Sequence, residues 1–483
     1  MYLYAKGIKP NRRSCMRTVS KTVIGVDFGT QSARAVLVNA ENGEIIYSCR
    51  KEYPYNSTPV PAIDCAENLP CATDYEMTLY ELLRNVIPEE YRKTVAGICV
   101  DATSLTMVLL AEDGRALSEL DGWSEAAHAR VKLWKYHRAQ EKADEALNLA
   151  RNLQEPFLGR TGGSISCEWM LPKLLEVRDE APEIYSKIDL AMDLCEFLTF
   201  RLTGQLVRSI GSLSYKCLWA EDLSFPERTF LNGLRAGFYE EYCHFLRGDV
   251  RKLGECAGVL RSELTKRWGL PEQIPVATGM LDGHTSLATM GAFEPGDAAL
   301  IVGTSNVCTV QDRKLQELKD VCGVAQDGMV TGSCGIDTGQ SSTGNMLGWF
   351  VEHMAGWQIH REAEERKISP HQVLAERIQK PWENKVIAVD WWSGSRNAPC
   401  DLTLRGSMSG LEMDTKTEDI YLALLQAIAC GTGTILESLS GQGVEIGRVL
   451  ATGGITEKNP LLMQEYANLL RRDVLVAKTA EGP

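Results

Sequence analysis

Residues 23–49 constrain the fold more than any other stretch, because they read as three short strands joined by two tight turns. Apolar and β-branched residues concentrate at positions 23–26 and 33–38, which is typical of strands. The turn between them, DFGTQS at 27–32, combines a glycine with hydroxyl and amide side chains. A missing Cβ lets backbone N–H groups approach an anion, and hydroxyls add further donors. The stretch therefore predicts a meander whose first turn could hold a phosphate group.

This arrangement differs from the common Gly-rich phosphate loops. A Walker loop and a dinucleotide-binding fingerprint both place their glycines ahead of a helix whose N-terminus faces the phosphate. Here Gly29 leads into a second strand, and a turn at Gly43 leads into a third. An ordinary hairpin without a ligand is the alternative, since many hairpins carry Gly and Thr.

Size, charge and cysteine content restrict the protein class. A chain of 483 residues suggests two large domains, each with its own core. The formal net charge of -13 argues against a nucleic-acid surface. The 15 cysteines include no CxxC pair, which favours reduced thiols in a cytoplasmic protein over disulfides or a zinc site. No run reaches the roughly 18 apolar residues of a membrane helix. Residues 1–20 are basic and aperiodic, and are expected to form an extension without an assigned function.

A second candidate site lies within residues 94–110, which read as two strands separated by a polar turn. In open α/β sheets, ligands bind beyond the carboxyl ends of the strands. Asp101, Thr103 and Ser104 stand at such an end, so they are candidate site residues. Plain turn formation is the alternative for all three.

The middle of the chain is predicted to be largely helical. Residues 128–151 predict one amphipathic helix, in which Lys132, Trp134 and His137 form a packed or solvated face rather than a ligand site. A further helix is expected at residues 190–202, ending at a Thr-Gly pair.

The second half of the chain repeats the opening pattern. A short apolar strand at residues 274–278 is taken as the start of the second domain, which gives domains at 21–273 and 274–483. Residues 300–310 then read as a strand, a Gly-Thr-Ser-Asn turn and another strand, as in the opening hairpin. Two such turns facing each other across a cleft would suit a triphosphate, although Gly-Thr hairpins also recur by chance.

Asp282 is the strongest single candidate for a catalytic residue. It follows the strand at 274–278 and precedes Gly283, as a catalytic base at a cleft would. Phosphoryl transfer to a hydroxyl needs positioning, neutralisation of charge by Mg²⁺ and a carboxylate that accepts the hydroxyl proton. The alternative is that Asp282 caps a helix predicted at residues 284–290.

Several late segments complete the second domain. They are predicted as a loop leading into a helix at 335–350, a strand with a packed Trp pair at 386–399, a helix at 421–439, and a strand, Gly-Gly turn and helix at 449–460. The paired glycines Gly453 and Gly454 would let the backbone lie flat against an adenine or a ribose. A simple strand-to-helix turn is the alternative.

Taken together, residues 22–483 resemble the FGGY carbohydrate kinases, and within them the L-ribulokinases. The general motifs are DFGTQS at 27 and GTSN at 303 for phosphate, and ATGGITEKNP at 451 for adenosine. The more particular stretches are HARVKLWKYH at 128, SCEWMLPK at 166, DGHTSLATMGAFEPG at 282, DTGQSSTGN at 337 and DWWSGSRNAP at 390. The resemblance implies an α/β fold of two actin-like, ribonuclease-H-like domains that flank a catalytic cleft.

The resemblance also implies an activity, the phosphorylation of a ketopentose by ATP with Mg²⁺, with L-ribulose and L-arabinose catabolism as the expected context. By matching motif, Asp282 is the expected catalytic base and Asp27 the expected magnesium ligand. The expected substrate-binding residues are Ser104, Lys216, Asp282 and Asp337. The expected ATP-binding residues are Thr30, Gln31, Gly303, Thr304, Gly453, Gly454 and Asn459. The expected partners are a small sugar and ATP, with a homodimer as a possible assembly and no nucleic acid or membrane.

Two departures from the family pattern leave alternatives open. Asp337 stands where the family usually has Glu, so a kinase for D-ribulose, xylulose or ribitol is an alternative. Family members also continue past the strand near residue 476, so the final helices of the second domain are expected to be missing. A non-catalytic sugar- or nucleotide-binding remnant is therefore a further alternative.

Overall fold

The computed structural model of the protein describes residues 21–53, 69–379, 381, 384–396, 401 and 403–477. The basic extension expected at residues 1–20 lies outside the described residues, as do positions 397–399 of the late segment with the Trp pair. Two main β-sheets, each accompanied by helices, form the body of the described part.

Helices and strands are interspersed along the chain, as in an α/β protein. The strands are β1 (Thr22–Phe28), β2 (Ser32–Asn39), β3 (Ile45–Glu52), β4 (Val95–Ala102), β5 (Met107–Leu110), β6 (Leu190–Asp193), β7 (Val207–Ser209), β8 (Asp249–Arg251), β9 (Cys256–Val259), β10 (Pro275–Ala277), β11 (Met280–Leu281), β12 (Ala298–Val302), β13 (Asn306–Asp312), β14 (Gly323–Gln326), β15 (Cys334–Gln340), β16 (Ile387–Val389), β17 (Ser407–Ser409), β18 (Val449–Thr452) and β19 (Val474–Val476). The helices are α1 (Ala72–Val86), α2 (Gln140–Leu153), α3 (Met170–Glu180), α4 (Pro182–Tyr185), α5 (Leu194–Thr203), α6 (Ile210–Lys216), α7 (Arg228–Leu234), α8 (Phe238–Phe245), α9 (Ser262–Trp268), α10 (Asp282–Met290), α11 (Gly344–Met354), α12 (Gly356–Arg366), α13 (Pro370–Arg377), α14 (Thr417–Gly441), α15 (Gly454–Lys458) and α16 (Pro460–Leu470).

The opening stretch forms the predicted meander. β1 pairs antiparallel with β2, and β2 pairs antiparallel with β3. Buried and half-buried residues alternate along β1, because successive side chains point to opposite faces of a sheet. β4 lies parallel to β1 on its other side, and β10 and β9 follow, so the sheet runs β3-β2-β1-β4-β10-β9.

The second main sheet repeats this order. β12 pairs antiparallel with β13, and β13 with β15, while β12 lies parallel to β18 and β18 parallel to β19. The path β15-β13-β12-β18-β19 therefore has the same strand directions as β3-β2-β1-β4-β10. The turn between β12 and β13 occupies the position that the turn between β1 and β2 has in the first sheet. The internal repeat predicted from the two Gly-Thr turns is thus present in the fold.

The predicted start of the second domain is wrong in one respect. The strand expected at residues 274–278 forms β10, which lies parallel to β4 in the first sheet, with Val276 beside Ile98. β11 also pairs with β4, and the second sheet begins only with β12. The sequence of a three-residue apolar strand does not show which sheet it joins. Only its pairing with β4 shows that β10 belongs to the first sheet.

The helix predicted at residues 128–151 is shorter than expected. Only Ala127–Ala129 form a 3₁₀ turn, and α2 begins at Gln140. Between them Lys132 forms an isolated antiparallel bridge with Met107, through N–H···O bonds of 2.9 and 3.1 Å, and turns follow at residues 134–135 and 138–139. Tertiary pairing to the edge of β5 outweighs local helix propensity here.

Two further predictions require correction. The helix expected at 190–202 is preceded by a strand, β6, so that α5 begins after Asp193 and ends at Gly204 in a left-handed conformation, φ +72°. The loop expected before α11 is instead β15, whose residues are all buried. The sequence CGIDTGQ is polar and Gly-rich, so it does not look like a buried strand, yet it lies between β14 and β13 and contains Asp337.

By length and mean hydropathy (25 residues, 1.4), α14 could cross a membrane. Most of it is buried inside the protein, where Leu424, Leu425 and Ile428 belong to the core of the second domain. The apolar composition of α14 is therefore explained by its position in the core of the second domain.

Candidate functional site

Three carboxylates lie at the carboxyl ends of neighbouring strands in the first sheet. Asp27 in β1 and Asp101 in β4 are partners in a parallel ladder, so their side chains share one face. β11 pairs Met280 with Asp101, and Asp282 follows as the first residue of α10. The fold therefore brings Asp27 and Asp282, the predicted magnesium ligand and base, to one edge and adds Asp101.

The environment favours the protonated form of these carboxyl groups. Burial and then repulsion from Asp27 raise the pKa of Asp282 to about 7. Burial also raises the pKa of Asp27 and raises that of Asp101 well above its usual range. The N–H of Gly283 donates to Asp282 Oδ1 at 2.7 Å, and the N–H of Ser104 also bonds to this carboxylate. An oriented carboxylate with a pKa near neutrality is suited to accept a proton.

Two buried polar atoms at this edge, Asp101 Oδ1 and Ser104 Oγ, have no hydrogen-bond partner among the described residues. Buried polar groups are normally paired, so these atoms fit a ligand that supplies a hydroxyl or a cation. Thr103, the third candidate in this turn, pairs its hydroxyl with that of Thr106 at 2.9 Å.

The first Gly-Thr turn is fixed by aromatic side chains. The indole N–H of Trp134 donates to Thr30 Oγ1 at 3.1 Å, and the Tyr53 hydroxyl donates to the Gly29 carbonyl at 2.9 Å. Gln31 is exposed, and its carbonyl accepts from the Tyr53 N–H at 3.4 Å. Trp134, predicted to be packed or solvated, thus contacts the predicted phosphate turn. The amphipathic-helix pattern predicted around Trp134 gave no indication of this contact.

The second Gly-Thr turn is fixed by the segment that begins α11. Thr343 donates its hydroxyl to the Gly303 carbonyl at 2.8 Å, and the N–H of Gly344 donates to the same carbonyl at 3.0 Å. The Asn345 N–H donates to the Thr304 carbonyl at 3.1 Å. Gly303 and Thr304 are therefore held at the N-terminus of α11, where the helix dipole favours an anion.

The Gly-Gly turn adjoins the second phosphate turn. Gly453 has φ +108°, and a Cβ there would lie 2.4 Å from the Val302 carbonyl oxygen. A Cβ on Gly454 would meet nothing within 4 Å. Asn459 is buried, accepts from the Leu462 N–H at 3.1 Å and donates to the Tyr421 hydroxyl at 3.1 Å. Its side chain therefore caps α16, and its contact with adenine stays a prediction.

The predicted sugar residues meet between the two halves of the chain. Lys216 Nζ at the end of α6 lies 3.2 Å from Asp337 Oδ2 in β15. Burial is the largest single influence and lowers the pKa of Lys216, but the Asp337 carboxylate, together with Cys322 and Glu168, raises it above its usual value. His284 Nε2 lies 4.0 Å from the same oxygen, and the Tyr215 hydroxyl donates to the Gly335 carbonyl at 2.7 Å. Helix α6 is thus docked on the second sheet beside this pair.

A second ion pair joins the halves, and the sequence did not reveal it. Arg396 lies 3.4 Å from Glu168 Oε1, to which His137 Nε2 also bonds at 3.1 Å. Burial would raise the pKa of Glu168, but Arg396 and His137 together lower it to about 2. Both partners lie in stretches that resemble L-ribulokinases, SCEWMLPK and DWWSGSRNAP, which was the only available signal.

A cavity of about 390 Å³ lies elsewhere on the boundary between the two halves. Its lining includes Phe157, Leu218, Trp219, Phe225, Leu315 and Val324. None of the predicted site residues is in its described lining, so this cavity is separate from the candidate site.

Among the described residues, no group of three or more His, Cys, Asp or Glu side chains could hold a metal ion by itself. Asp27 and Asp101 supply two adjacent carboxylates, and one oxygen of Asp101 is unpaired within the described structure. Mg²⁺ commonly binds through one or two carboxylates plus substrate phosphates and water, so this pair fits a magnesium ion bound with a nucleotide.

Comparison with known protein families covers nearly the whole chain. Residues 22–290 match the N-terminal domain of the FGGY family of carbohydrate kinases, and residues 298–483 match its C-terminal domain. The chain is 34% identical over 474 residues to a ribulokinase of Halalkalibacterium halodurans, covering 96% of this chain and 84% of the relative. It is 35% identical over 475 residues to a ribulokinase of Mycolicibacterium smegmatis, with the same coverage, 96% and 84%.

Solved structures share the two-domain, actin-like architecture. A xylulose kinase from Brucella ovis superposes with a TM-score of 0.76 at 21% identity, covering 94% of this chain and 86% of that one. A ligand-bound xylulose kinase from Lactobacillus acidophilus gives 0.77 at 18% identity, covering 96% and 87%. At these identities the likeness establishes the fold alone. With both domain models matched and ribulokinases as relatives, the chain belongs to the FGGY family of carbohydrate kinases.

Proposed function

We propose that this sugar kinase transfers the γ-phosphoryl group of ATP to the terminal hydroxyl of L-ribulose, forming L-ribulose 5-phosphate and ADP. The observation that carries the proposal is the position of Asp282 next to the Lys216–Asp337 pair, where Lys216 is close enough to lower the pKa of Asp282. A base and a set of sugar-binding groups then meet at one edge of the first sheet. The naming of the relatives as ribulokinases supports L-ribulose among the ketopentoses.

Asp282 is the proposed general base. Its carboxylate accepts the proton of the sugar hydroxyl as the hydroxyl oxygen bonds to the γ-phosphorus and ADP leaves. The hydrogen bonds from Gly283 and Ser104 keep the carboxylate oriented toward the cleft during this transfer.

Ser104, Lys216 and Asp337 are the proposed sugar-binding residues. Ser104 Oγ, unpaired among the described residues, offers a hydroxyl to the sugar. Lys216 donates and Asp337 accepts hydrogen bonds, so together they can bind neighbouring hydroxyls of a polyol. The Asp337 side chain is one methylene shorter than the usual Glu, so its carboxylate extends less far toward the sugar. Other ketopentoses are therefore tested as substrates.

The two Gly-Thr turns are the proposed phosphate-binding elements, with Thr30 and Gln31 on the first sheet and Gly303 and Thr304 on the second. Gly453, Gly454 and the segment capped by Asn459 are proposed to border the adenosine. Asp27, together with Asp101, would hold Mg²⁺, which supplies neutralisation of the phosphate charge when it is bound.

Closure of the two domains should exclude water, which would otherwise accept the phosphoryl group. The Glu168–Arg396 pair bridges the two halves and supports such a closed arrangement. The described cysteines are free thiols, in keeping with the cytoplasmic location that we propose.

The test is a substrate panel with purified protein, ATP and Mg²⁺. Release of ADP is measured with L-ribulose, D-ribulose, D-xylulose and ribitol, and ³¹P and ¹³C NMR locate the phosphate on the product. We expect the highest kcat/KM with L-ribulose and phosphate on O5. A higher kcat/KM with another sugar would reassign the substrate. Binding of ADP and sugar by calorimetry without turnover would instead identify a non-catalytic binding protein.

A further inference from the structure

Leu105 holds an unusual backbone conformation directly beside the proposed base. Its φ is +64°, in the left-handed region that non-glycine residues rarely adopt. Its neighbour Ser104 directs its N–H to the Asp282 carboxylate. A residue in such a conformation persists only where the surroundings hold it there, and these sites concentrate at active sites.

Two fully buried ionisable side chains hold this peptide. The Leu105 N–H donates to Asp193 Oδ2 at 3.0 Å, and Lys173 Nζ donates to the Leu105 carbonyl at 2.6 Å. Lys173 and Asp193 are both 0% exposed. Placing an ionisable group in the interior is costly, so an apolar residue would be expected at either position if it served packing alone.

Lys173 also holds a second loop. Its ammonium donates to the carbonyl of Leu133 at 3.0 Å and to that of Lys132 at 3.3 Å. The next residue, Trp134, donates its indole N–H to Thr30 in the first phosphate turn. One ammonium therefore contacts both the turn that orients Asp282 and the loop that braces the phosphate turn.

We propose that Lys173 is a positioning residue that fixes the turn carrying Ser104 and the loop carrying Trp134. Asp193 assists by holding the N–H of the same left-handed peptide. The catalytic consequence rests on the proposed function, whereas the positioning itself can be measured without turnover. Lys173 touches neither the sugar nor the nucleotide in this role.

The primary test is Lys173→Met, which keeps the length and buried character of the side chain but removes the donors. We expect kcat/KM for the sugar to fall at least about tenfold, since a displacement near 1 Å at a reacting group can cost far more. In protein with ¹⁵N-labelled Trp, the indole signal of Trp134, assigned with Trp134→Phe, should shift or broaden. The matched control is Lys132→Met, because Lys132 is equally buried but faces Glu176 and Tyr136. It should leave the Trp134 signal in place.

A second pair of variants tests the same peptide without removing Lys173. Asp193→Asn retains an acceptor for the Leu105 N–H, whereas Asp193→Ser is too short to reach it yet remains a good cap for α5. We expect the Ser variant to lose kcat/KM several-fold more than the Asn variant. This comparison decides the matter if Lys173→Met does not fold.

The proposal is overturned if folded Lys173→Met keeps the wild-type kcat/KM and Trp134 signal, if Lys132→Met disturbs that signal equally, or if both Asp193 variants behave alike. If the wild-type protein turns over no sugar, the proposed function fails. The Trp134 signal in Lys173→Met then still decides whether Lys173 positions the loop.

Discussion

The ammonium of Lys216 lies 3.2 Å from a carboxylate oxygen of Asp337, although the two residues are 121 positions apart and belong to different halves of the chain. Lys216 ends a helix of the first half, and Asp337 lies in the middle of a buried strand of the second sheet. This contact places a buried donor and acceptor, the proposed sugar-binding groups, where the two domains meet. Lys216 also lowers the pKa of Asp282, although burial and repulsion from Asp27 have larger effects and raise it.

Replacing the proposed base should abolish most of the activity. Asp282→Asn keeps the size of the side chain but cannot accept a proton, so kcat should fall roughly 10²- to 10⁴-fold, as for the loss of a general base. Sugar-dependent ADP release and calorimetric binding of the sugar provide the measurements. Binding should weaken much less than kcat falls.

Asp327→Asn is the matched control for this substitution. Asp327 is also buried, but it pairs with Lys252 at 2.7 Å away from the three carboxylates. It should retain activity close to the wild type. An Asp282→Asn protein with undiminished kcat would show that another group takes the proton.

The pH dependence should follow the ionisation of Asp282. Burial and repulsion from Asp27 raise the pKa of Asp282 to about 7, and a base is active only when it is deprotonated. The kcat/KM for the sugar should therefore rise with pH as Asp282 loses its proton, and burial, the largest cause, should keep the inflection above the usual range of an aspartate when Mg²⁺ binds beside Asp27. A pH series at saturating ATP and Mg²⁺ gives the inflection.

Lys216→Met should move that inflection to higher pH. The positive charge of Lys216 lowers the pKa of Asp282, so its removal should raise the pH of the inflection. Exposed Lys385, which pairs with Glu412, offers the control Lys385→Met, whose inflection should equal that of the wild type. If the inflection of Lys216→Met equals that of the wild type, Lys216 does not influence the pKa of the catalytic base.

The Gly-Gly turn offers an internal comparison. Gly453→Ala would place a methyl group 2.4 Å from the Val302 carbonyl at φ +108°, so the strand-to-helix turn must distort, at a cost of about 1–3 kcal/mol. We expect a lower melting temperature and weaker binding of ADP. Thermal unfolding and ADP calorimetry measure the two effects.

The Cβ added by Gly454→Ala would meet no other atom within 4 Å, so this substitution should leave the melting temperature unchanged. If adenosine lies against this turn, the larger Gly454→Val should weaken ADP binding without loss of folding. Equal behaviour of Gly453→Ala and Gly454→Ala would contradict the steric account.

The ion pair between Glu168 and Arg396 should show coupling in catalysis. A double-mutant cycle with Glu168→Gln and Arg396→Met on kcat/KM for the sugar isolates the pairwise contribution, expected to be on the order of 1 kcal/mol. The exposed pair Arg361–Glu365, with side chains 65% and 61% exposed, should give a coupling near zero. If the effects of the two substitutions are additive, the Glu168–Arg396 ion pair does not contribute to domain closure.

Much of the local structure around the candidate site could be predicted, because turns and strands depend on neighbouring residues. The strand–turn–strand pattern at residues 23–49 predicted the meander, and the second Gly-Thr turn predicted the repeat of the sheet. The paired glycines at 453 and 454 were predicted to border adenosine, which stays a prediction, and the structure shows that Gly453 also has a positive φ. Asp282 was identified as a candidate base or helix cap, and it is in fact the first residue of α10, not its N-cap.

Other features depended on contacts that no local pattern records. Residues 128–139 have helical composition, yet the bridge between Lys132 and Met107 interrupts a helix there and turns follow it. β10 has no local preference between two sheets, and its parallel pairing with β4 places it in the first. Glu168 and Arg396 are 228 positions apart and become neighbours only in the folded chain.

The sequence by itself determined the class of the protein, the two Gly-Thr turns and the residue types of the candidate site, because turns and strand periods depend on neighbouring residues. Tertiary structure alone decided which carboxylates lie together and how Asp282 acquires a raised pKa. It also decided that Lys173 lies beneath two loops of the site. Burial and charge proximity arise from segments far apart in sequence, so they exist only once the two sheets and their helices have packed.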